Sequence, residues 1–389
     1  MPGIIVKPRS RILHGHDWVY GSEILKTFGQ PENGSVVSIK DGRDRFLGSG
    51  MFNADSHLTV RRFSRQRQEL DRDFFERRIG RAWELRQRLD LSPRPLRVFW
   101  SESDGIPGLI IDRYGDTAVV QTLTLAVDQK LSVVAEVVRE VLGVANVVER
   151  NDSSGRVAEG LPVRKGVLAG EPEPRHAFFW QGVHFTADLL HGQKTGFYLD
   201  QLDSYAAVAA HAAGRQILDC FSNQGGFALT CAKAGATSVT AVESGAEAAA
   251  QLRRHATEND CAIVVEEKDA FAFLRQAEKR GATWDGIVLD PPSFAKGRGA
   301  QQAALRGYRE LHLRAGRLLA PTGWLATFSC SHHISESDFL QVATEGLLDA
   351  GRTARLAGTF SQPLDHPVLP HLPETRYLKG FLLEMLPGR

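Results

Sequence analysis

Residues 216–235 read QILDCFSNQGGFALTCAKAG, and this stretch decides the fold. A short apolar run, Ile217-Leu218, leads to Asp219. A turn-forming segment follows, with Gly225 and Gly226 side by side, and FALTCAKAG then has the composition of a helix. The glycine pair removes side chains where the chain turns tightly and passes close to a ligand. The loop lacks the full GxGxxG pattern, and no Lys-Ser/Thr of a phosphate-binding loop stands near it, so a dinucleotide or a nucleoside triphosphate is not favoured. Downstream, SVTAVES (238–244), AIVVEEKDA (262–270), DGIVLDPP (285–292) and GWLATFSCS (323–331) read as strands separated by helical stretches. Strands alternating with helices predict a Rossmann-like parallel sheet wrapped by helices.

The chemistry gathers at the ends of those strands. Asp219, Glu243 and Asp269 fall at successive strand ends, and Glu243 stands where a carboxylate can accept both ribose hydroxyl protons. Each acid alone is explained equally well as a cap of its strand or of the next helix. All three, with the glycines, make an adenosyl ligand the better reading. Asp290-Pro-Pro-Ser-Phe leaves the strand DGIVLD on two prolines, which fix φ and donate no hydrogen bond. A plain turn is the alternative to a catalytic Asp290. Cys330, in Phe328-Ser-Cys-Ser-His-His, is expected at the same sheet edge as a nucleophile, against the commoner role of a small buried hydrophobe. Cys220, Cys231 and Cys261 lack such a setting and are expected in the core. His332 and His333 are adjacent, so their side chains diverge, and no metal is expected.

Upstream, residues 1–70 are short-stranded and turn-rich, the pattern of a small β-rich barrel. Residues 71–92 predict an amphipathic helix, with Phe74, Phe75, Ile79, Trp83, Leu85 and Leu89 near helical spacing. Strands near 109–112, 118–123 and 146–149, with a helix near 128–142, predict a mixed α+β region. Gly170-Glu-Pro-Glu-Pro174 reads as a loop. The expected organisation is a β-rich domain (1–70), a central α+β domain (71–185) and a Rossmann-like domain (186–389).

The chain carries 47 Lys and Arg against 46 Asp and Glu, a net charge of +1, so a case for nucleic acid rests on local clustering. Residues 61–90 contain ten arginines and six acids. Arginine suits phosphate and stacks on unpaired bases. Arg61, Arg62, Arg65 and Arg67 are the least diluted by acids and are the expected RNA contacts. The arginines of 72–88 read equally well as a solvated helix face. No run has the apolar length to span a bilayer, and MPGIIVKPRS lacks a secretory pattern. Four cysteines without CxxC spacing point to free thiols in a reducing cytoplasm.

Several motifs together, DCFSNQGGF, DPPSFAKG, FSCS, HGQKTGFYLDQ (191–201) and DHPVLPHLPETRYLKGF (365–381), resemble the bacterial 23S rRNA 5-methylcytosine methyltransferases, a class I family with an N-terminal PUA domain. GHDWVYGSEI (15–24) and GSGMFNADSHLTVRRFSR (48–65) look like the PUA module, so the resemblance spans nearly the whole chain. It implies S-adenosylmethionine as cofactor, held by Lys194, Thr195, Phe197, Asp219, Phe221, Asn223, Gly225, Gly226, Glu243, Asp269, Ala270 and Asp290. It also implies that Asp290 and Cys330 act on a cytosine of 23S rRNA. The implied partner is RNA, without membrane or metal; a homodimer is left open. Two other readings stand beside this one. The first is methylation of an exocyclic amine or a guanine without a cysteine nucleophile, which the serine after the second proline disfavours. The second is a non-catalytic RNA-binding protein.

Overall fold

The computed structural model describes residues 1–91, 93–294 and 298–388. They form two compact units. The first comprises residues 1–178, 186–199 and 364–375; the second comprises 179–185, 200–363 and 376–389.

The first unit holds two sheets. Residues 3–64 form a six-stranded sheet whose small core is Ile4, Val6, Val19, Val37, Ile39 and Val60. Residues 96–169 supply a five-stranded sheet. Helix α1 (Arg72–Arg88) begins at Asp71, whose side chain caps the Phe74 N–H at 2.8 Å. Its Phe74, Phe75 and Ile79 bury against Val98, Ile111, Val120, Val134 and Val138. Met51 and Phe63 of the first sheet join that same cluster, so the two sheets share apolar packing. The segment around 170–174 is a loop joining strands Arg164–Ala169 and Arg175–Trp180.

The second unit is built on seven strands: β1 (Gln216–Cys220), β2 (Ser238–Glu243), β3 (Ile263–Glu267), β4 (Trp284–Leu289), β5 (Leu319–Ser329), β6 (Ala354–Ser361) and β7 (Lys379–Met385). Their order in the sheet is 3-2-1-4-5-7-6. The first five are parallel, and β7 lies antiparallel between β5 and β6. Central strands are buried on both faces (Ile217 to Cys220, Gly286 to Leu289, Gly323 to Ser329), which is why they read as unbroken apolar runs. Edge strands β3 and β6 are far more exposed. Helices α2 (Gly226–Lys233), α3 (Ala246–Glu258), α4 (Ala270–Lys279), α5 (Gln301–Leu318) and α6 (Glu336–Asp349) connect and cover the strands. Because the five strands are parallel, the residues that leave them all emerge at one edge. No helix among the described residues is long and apolar enough to cross a membrane.

One buried ion pair tests the first unit. Arg97 donates to both oxygens of Asp112 (2.8 and 2.9 Å), and Thr195 Oγ1 donates to the same carboxylate at 2.6 Å. Both charges are withdrawn from water, so the loss of one partner strands the other. Asp112→Ala should lower the stability of the first unit by roughly 3–5 kcal/mol, whereas Arg97→Met with Asp112→Leu should recover most of it. Urea unfolding of the three proteins measures both effects; a loss below about 1 kcal/mol in Asp112→Ala would show that the pair is dispensable.

Candidate active site

The site begins with the turn from β1 into α2. Phe221, Asn223 and Gly225 have φ of 64°, 48° and 93°, so the loop alternates through left-handed conformations and Gly225 ends it as the residue before α2. At Gly226 a Cβ would lie 2.2 Å from the Tyr205 ring, so that position admits no side chain. Asn223 Oδ1 accepts from the Gln224 N–H at 2.8 Å. Glu243, the last residue of β2, clamps this loop: its Oε2 accepts from Asn223 N at 2.9 Å and its Oε1 from Gly245 N at 2.7 Å.

Asp219 is fully buried. Its Oδ2 accepts from Ala228 N at 3.1 Å, and its Oδ1 has no hydrogen-bond partner. Burial, reinforced by the charges of Asp290 and Glu243, pushes its carboxyl well above the usual range. Asp290 follows β4 directly, and its Oδ2 accepts from Gln201 Nε2 at 3.0 Å. The other amide atom, Gln201 Oε1, is buried without a partner. Asp269 is exposed and caps α4 through Ala272 N at 2.8 Å, and Ala270 is the buried first residue of that helix.

Cys330 follows β5 directly and is half-buried. A chain of hydroxyl groups holds its neighbours. Ser293, after the two prolines, meets Ser331 at 3.0 Å, and Tyr308 of α5 meets Ser331 at 3.2 Å and Ser329 at 2.9 Å. The segment that carries Asp290 is thereby tied to the segment that carries Cys330. Lys379, the first residue of β7, pairs with Ser329 across the sheet and donates from Nζ to Ser331 O at 2.8 Å and Tyr377 O at 3.2 Å. Its backbone and its ammonium thus bracket Cys330. Burial lowers the Lys379 pKa to about 8, against the opposing influence of Cys330 and Glu336. Cys220 and Cys231 are buried in the core, as expected of them, whereas Cys261, expected there too, is only half-buried because it sits in the connection that leads to an edge strand.

The remaining site candidates lie in the first unit. Thr195 is buried on Asp112 and Tyr114, and Phe197 packs edge-on against Phe178 at 5.0 Å. Lys194 is exposed, with its ammonium 4.2 Å from the Tyr198 ring centre. The four arginines separate into two pairs. Arg61 is bound to Glu159 at 2.7 Å, and Arg62 is buried on Asp17 at 2.6 Å and donates to the carbonyls of Gly15 and His16. Their guanidinium groups serve the fold. Arg65 and Arg67 are exposed, the latter stacked on Phe46 at 4.8 Å. Gln201, Tyr308 and Lys379 were not singled out in the sequence. Gln201 lies inside the HGQKTGFYLDQ motif and Lys379 inside DHPVLPHLPETRYLKGF, whereas nothing local marks Tyr308.

A parallel sheet with a glycine turn after its first strand, and acids emerging from the neighbouring strands, is the frame of an S-adenosylmethionine-dependent methyltransferase. Family models agree: residues 4–65 match a PUA-like domain and residues 163–359 an S-adenosylmethionine-dependent methyltransferase. Ribosomal RNA large subunit methyltransferase I of Tolumonas auensis is 36% identical over 386 residues, covering 96% of each chain. The protein of that name from Shewanella amazonensis is 37% identical over 374 residues, covering 94% of each. This chain belongs to that family of S-adenosylmethionine-dependent methyltransferases. Among solved structures, a chain described as a SAM-dependent methyltransferase from Streptococcus mutans superimposes with a TM-score of 0.85 at 21% identity, covering 99% of this chain and all of that one. A methyltransferase complexed with SAH gives 0.86 at 20% identity, with the same coverage. Both show the same fold.

The residues present fit the cofactor. Two buried oxygens without donors, Asp219 Oδ1 and Gln201 Oε1, belong to residues that neighbour Asp290. S-adenosylmethionine carries an ammonium group, ribose hydroxyls and an adenine amine, all donors, and its sulfonium charge suits an edge rich in acids.

Asp219 also makes a pH test of this electrostatics. Its folded pKa is raised, so from about pH 4 upward the folded chain retains a proton that the unfolded chain releases, and stability declines as pH rises towards the folded value. Asp219→Asn keeps an acceptor for Ala228 N and removes that slope. The cofactor-free variant should therefore melt higher than the parent by a margin that widens as pH rises above the ordinary carboxylate range. A margin that stays flat with pH would show that Asp219 is ionised at little cost.

Proposed function

We propose that this chain methylates carbon 5 of a cytosine in large-subunit ribosomal RNA, working in the cytoplasm and using Cys330 as a covalent nucleophile. The observation that carries the reading is the tying of the segments that carry Cys330 and Asp290 through the Ser293–Ser331–Tyr308 hydroxyls, with the Lys379 ammonium on the carbonyl of Ser331, next to Cys330 in the chain. The relatives' name supports the substrate, and the exposed arginines Arg65 and Arg67 support RNA contact by the first seventy residues.

The chemistry explains why this set of groups is needed. Carbon 5 of cytosine is a weak nucleophile. Addition of the Cys330 thiolate at carbon 6 forms a sulfur–carbon bond and moves the ring's π pair towards carbon 5. Asp290 in its acid form gives a proton to, or hydrogen-bonds, ring nitrogen 3, which removes the negative charge that the addition would leave there. Positive charge near a thiol favours its ionised form, and Lys379 supplies such a charge. The cofactor, when bound, supplies an electrophilic methyl group on a positively charged sulfur. Loss of the carbon 5 proton to a base then restores the double bond and expels the Cys330 thiolate, while nitrogen 3 returns its proton. In this reading Glu243 would accept from the ribose hydroxyls, Asp219 and Gln201 from other donors of the cofactor, and Asp269 and Ala270 would take its adenine side.

Glu243→Ala should weaken S-adenosylmethionine binding by roughly 1.5–3 kcal/mol, the worth of hydrogen bonds to a charged group. Calorimetry on the folded variant measures it, and unchanged affinity would remove Glu243 from the site.

Cys330→Ala should abolish methyl transfer to ribosomal RNA while leaving cofactor binding intact. Serine should not substitute, because its hydroxyl is scarcely ionised near neutral pH. RNA bearing 5-fluorocytidine at the target has no carbon 5 proton to lose. It should stall as a protein–RNA adduct that survives denaturation and is missing in Cys330→Ala. Near-normal turnover of Cys330→Ala would make the thiol a packing residue and the product something other than 5-methylcytosine.

A further inference from the structure

The arginines of residues 61–90 do not share one role. Arg72 is solvated among Glu76, Glu136 and Glu140, and Arg86 is buried with both outer nitrogens on Asp104 at 2.7 Å. Arg65, Arg78 and Arg81 differ from these. They line a groove of about 760 Å³ in the first unit, together with Gln66, Leu85 and Glu102. None of the three has an ion-pair partner among the described residues. The acids of the groove already have partners: Asp104 has Arg86, Asp17 has Arg62 and His371, and Glu102 accepts from the Trp18 Nε1–H at 3.0 Å.

Arg78 is held in position. Its guanidinium is 5.4 Å from the Phe74 ring centre and lies against Gly105, where a Cβ would come within 3.1 Å of Nη1. Gly105 has φ +87°, a conformation that only glycine adopts without strain. Arg78 is half-buried, and burial together with Arg81 and Arg77 pushes its pKa down. Arginine does not give up its proton near neutrality, so this crowding is borne as repulsion, which an arriving anion relieves. Leu85 is 41% exposed in the same groove and offers an apolar face.

We propose that this groove holds an unpaired RNA segment, with phosphates at Arg65, Arg78 and Arg81 and a base against Leu85. The proposal rests on the reading of the chain as an RNA methyltransferase. Glu102 and Asp104 keep acceptor oxygens at the groove, which favours a ligand that brings hydrogen-bond donors along with its negative charge over an acidic peptide, whose ionised side chains only accept. A nucleic-acid strand confines its charge to phosphates and offers ribose hydroxyls and base amines as donors elsewhere.

The test uses the full chain and a fluorescein-labelled oligouridylate of about a dozen nucleotides, titrated by fluorescence anisotropy between about 50 and 200 mM salt. The triple variant Arg65→Gln, Arg78→Gln, Arg81→Gln should lower the slope of log affinity against log salt by about 2, at about 0.7 per lost phosphate contact. Arg65→Glu with Arg81→Glu, both exposed positions, guards against a folding defect and should weaken binding at least about tenfold at low salt. Cofactor binding should be unchanged in both. An unaltered slope and affinity overturns the groove, as does polyglutamate that displaces the oligouridylate as well as unlabelled RNA does. If the parent protein binds through these arginines yet transfers no methyl to ribosomal RNA, the proposed function falls and the groove stands. If it methylates and the variants bind normally, the groove alone falls.

Discussion

Three carboxylates, those of Asp219, Glu243 and Asp290, stand on or directly after adjacent parallel strands at one edge, where burial and the charges of the other two bear on Asp219. Parallel strands leave no choice in this, because whatever follows each strand arrives on the same side. Each acid is accommodated differently. Glu243 accepts two backbone N–H groups and in doing so fixes the glycine loop. Asp290 accepts from Gln201. Asp219, enclosed and faced by the other two, is driven towards its neutral form. The edge is thus prepared for a ligand that brings positive charge and hydrogen-bond donors, which describes the family's methyl donor.

The part of the fold legible in the sequence was the part governed by local rules. The turn at Gly225 and Gly226 follows an apolar run and precedes a helix within twenty residues, so neighbouring residues alone specify it. Strands β1, β4 and β5 are buried on both faces and show as continuous apolar runs. Strand β6 is an edge strand whose residues are mostly in contact with water, and its sequence carries no burial signal. KGFLLEM of β7 is apolar enough to serve as strand or helix, and its place between β5 and β6 depends on pairing with residues far away in sequence. The site divides in the same way. Asp219, Glu243, Asp290 and Cys330 sit at strand ends that periodicity can locate. Tyr308 lies within a helix and Lys379 at the start of β7, and only tertiary packing brings them to Ser331.

The arginine-rich stretch shows the limit from another side. Counting charge revealed a local excess but not its distribution, because the partners that decide each arginine's role come from elsewhere in the chain. Asp17 and Glu159 claim Arg62 and Arg61, Asp104 claims Arg86, and Glu136 and Glu140 claim Arg72. A residue's neighbours in sequence predict its helix; its partners in space determine its work.

The position of β7 has a consequence for the timing of synthesis. It comes after every other strand in the sequence, yet it lies inside the sheet and brings Lys379 to Cys330. While the chain is being translated, β5 has an open edge, and the thiol and the acid exist before the cation that accompanies them. The site cannot close until residues through Met385 have emerged. This ordering makes the meeting of cation and thiol a late event of folding, because it waits on the insertion of β7 between β5 and β6.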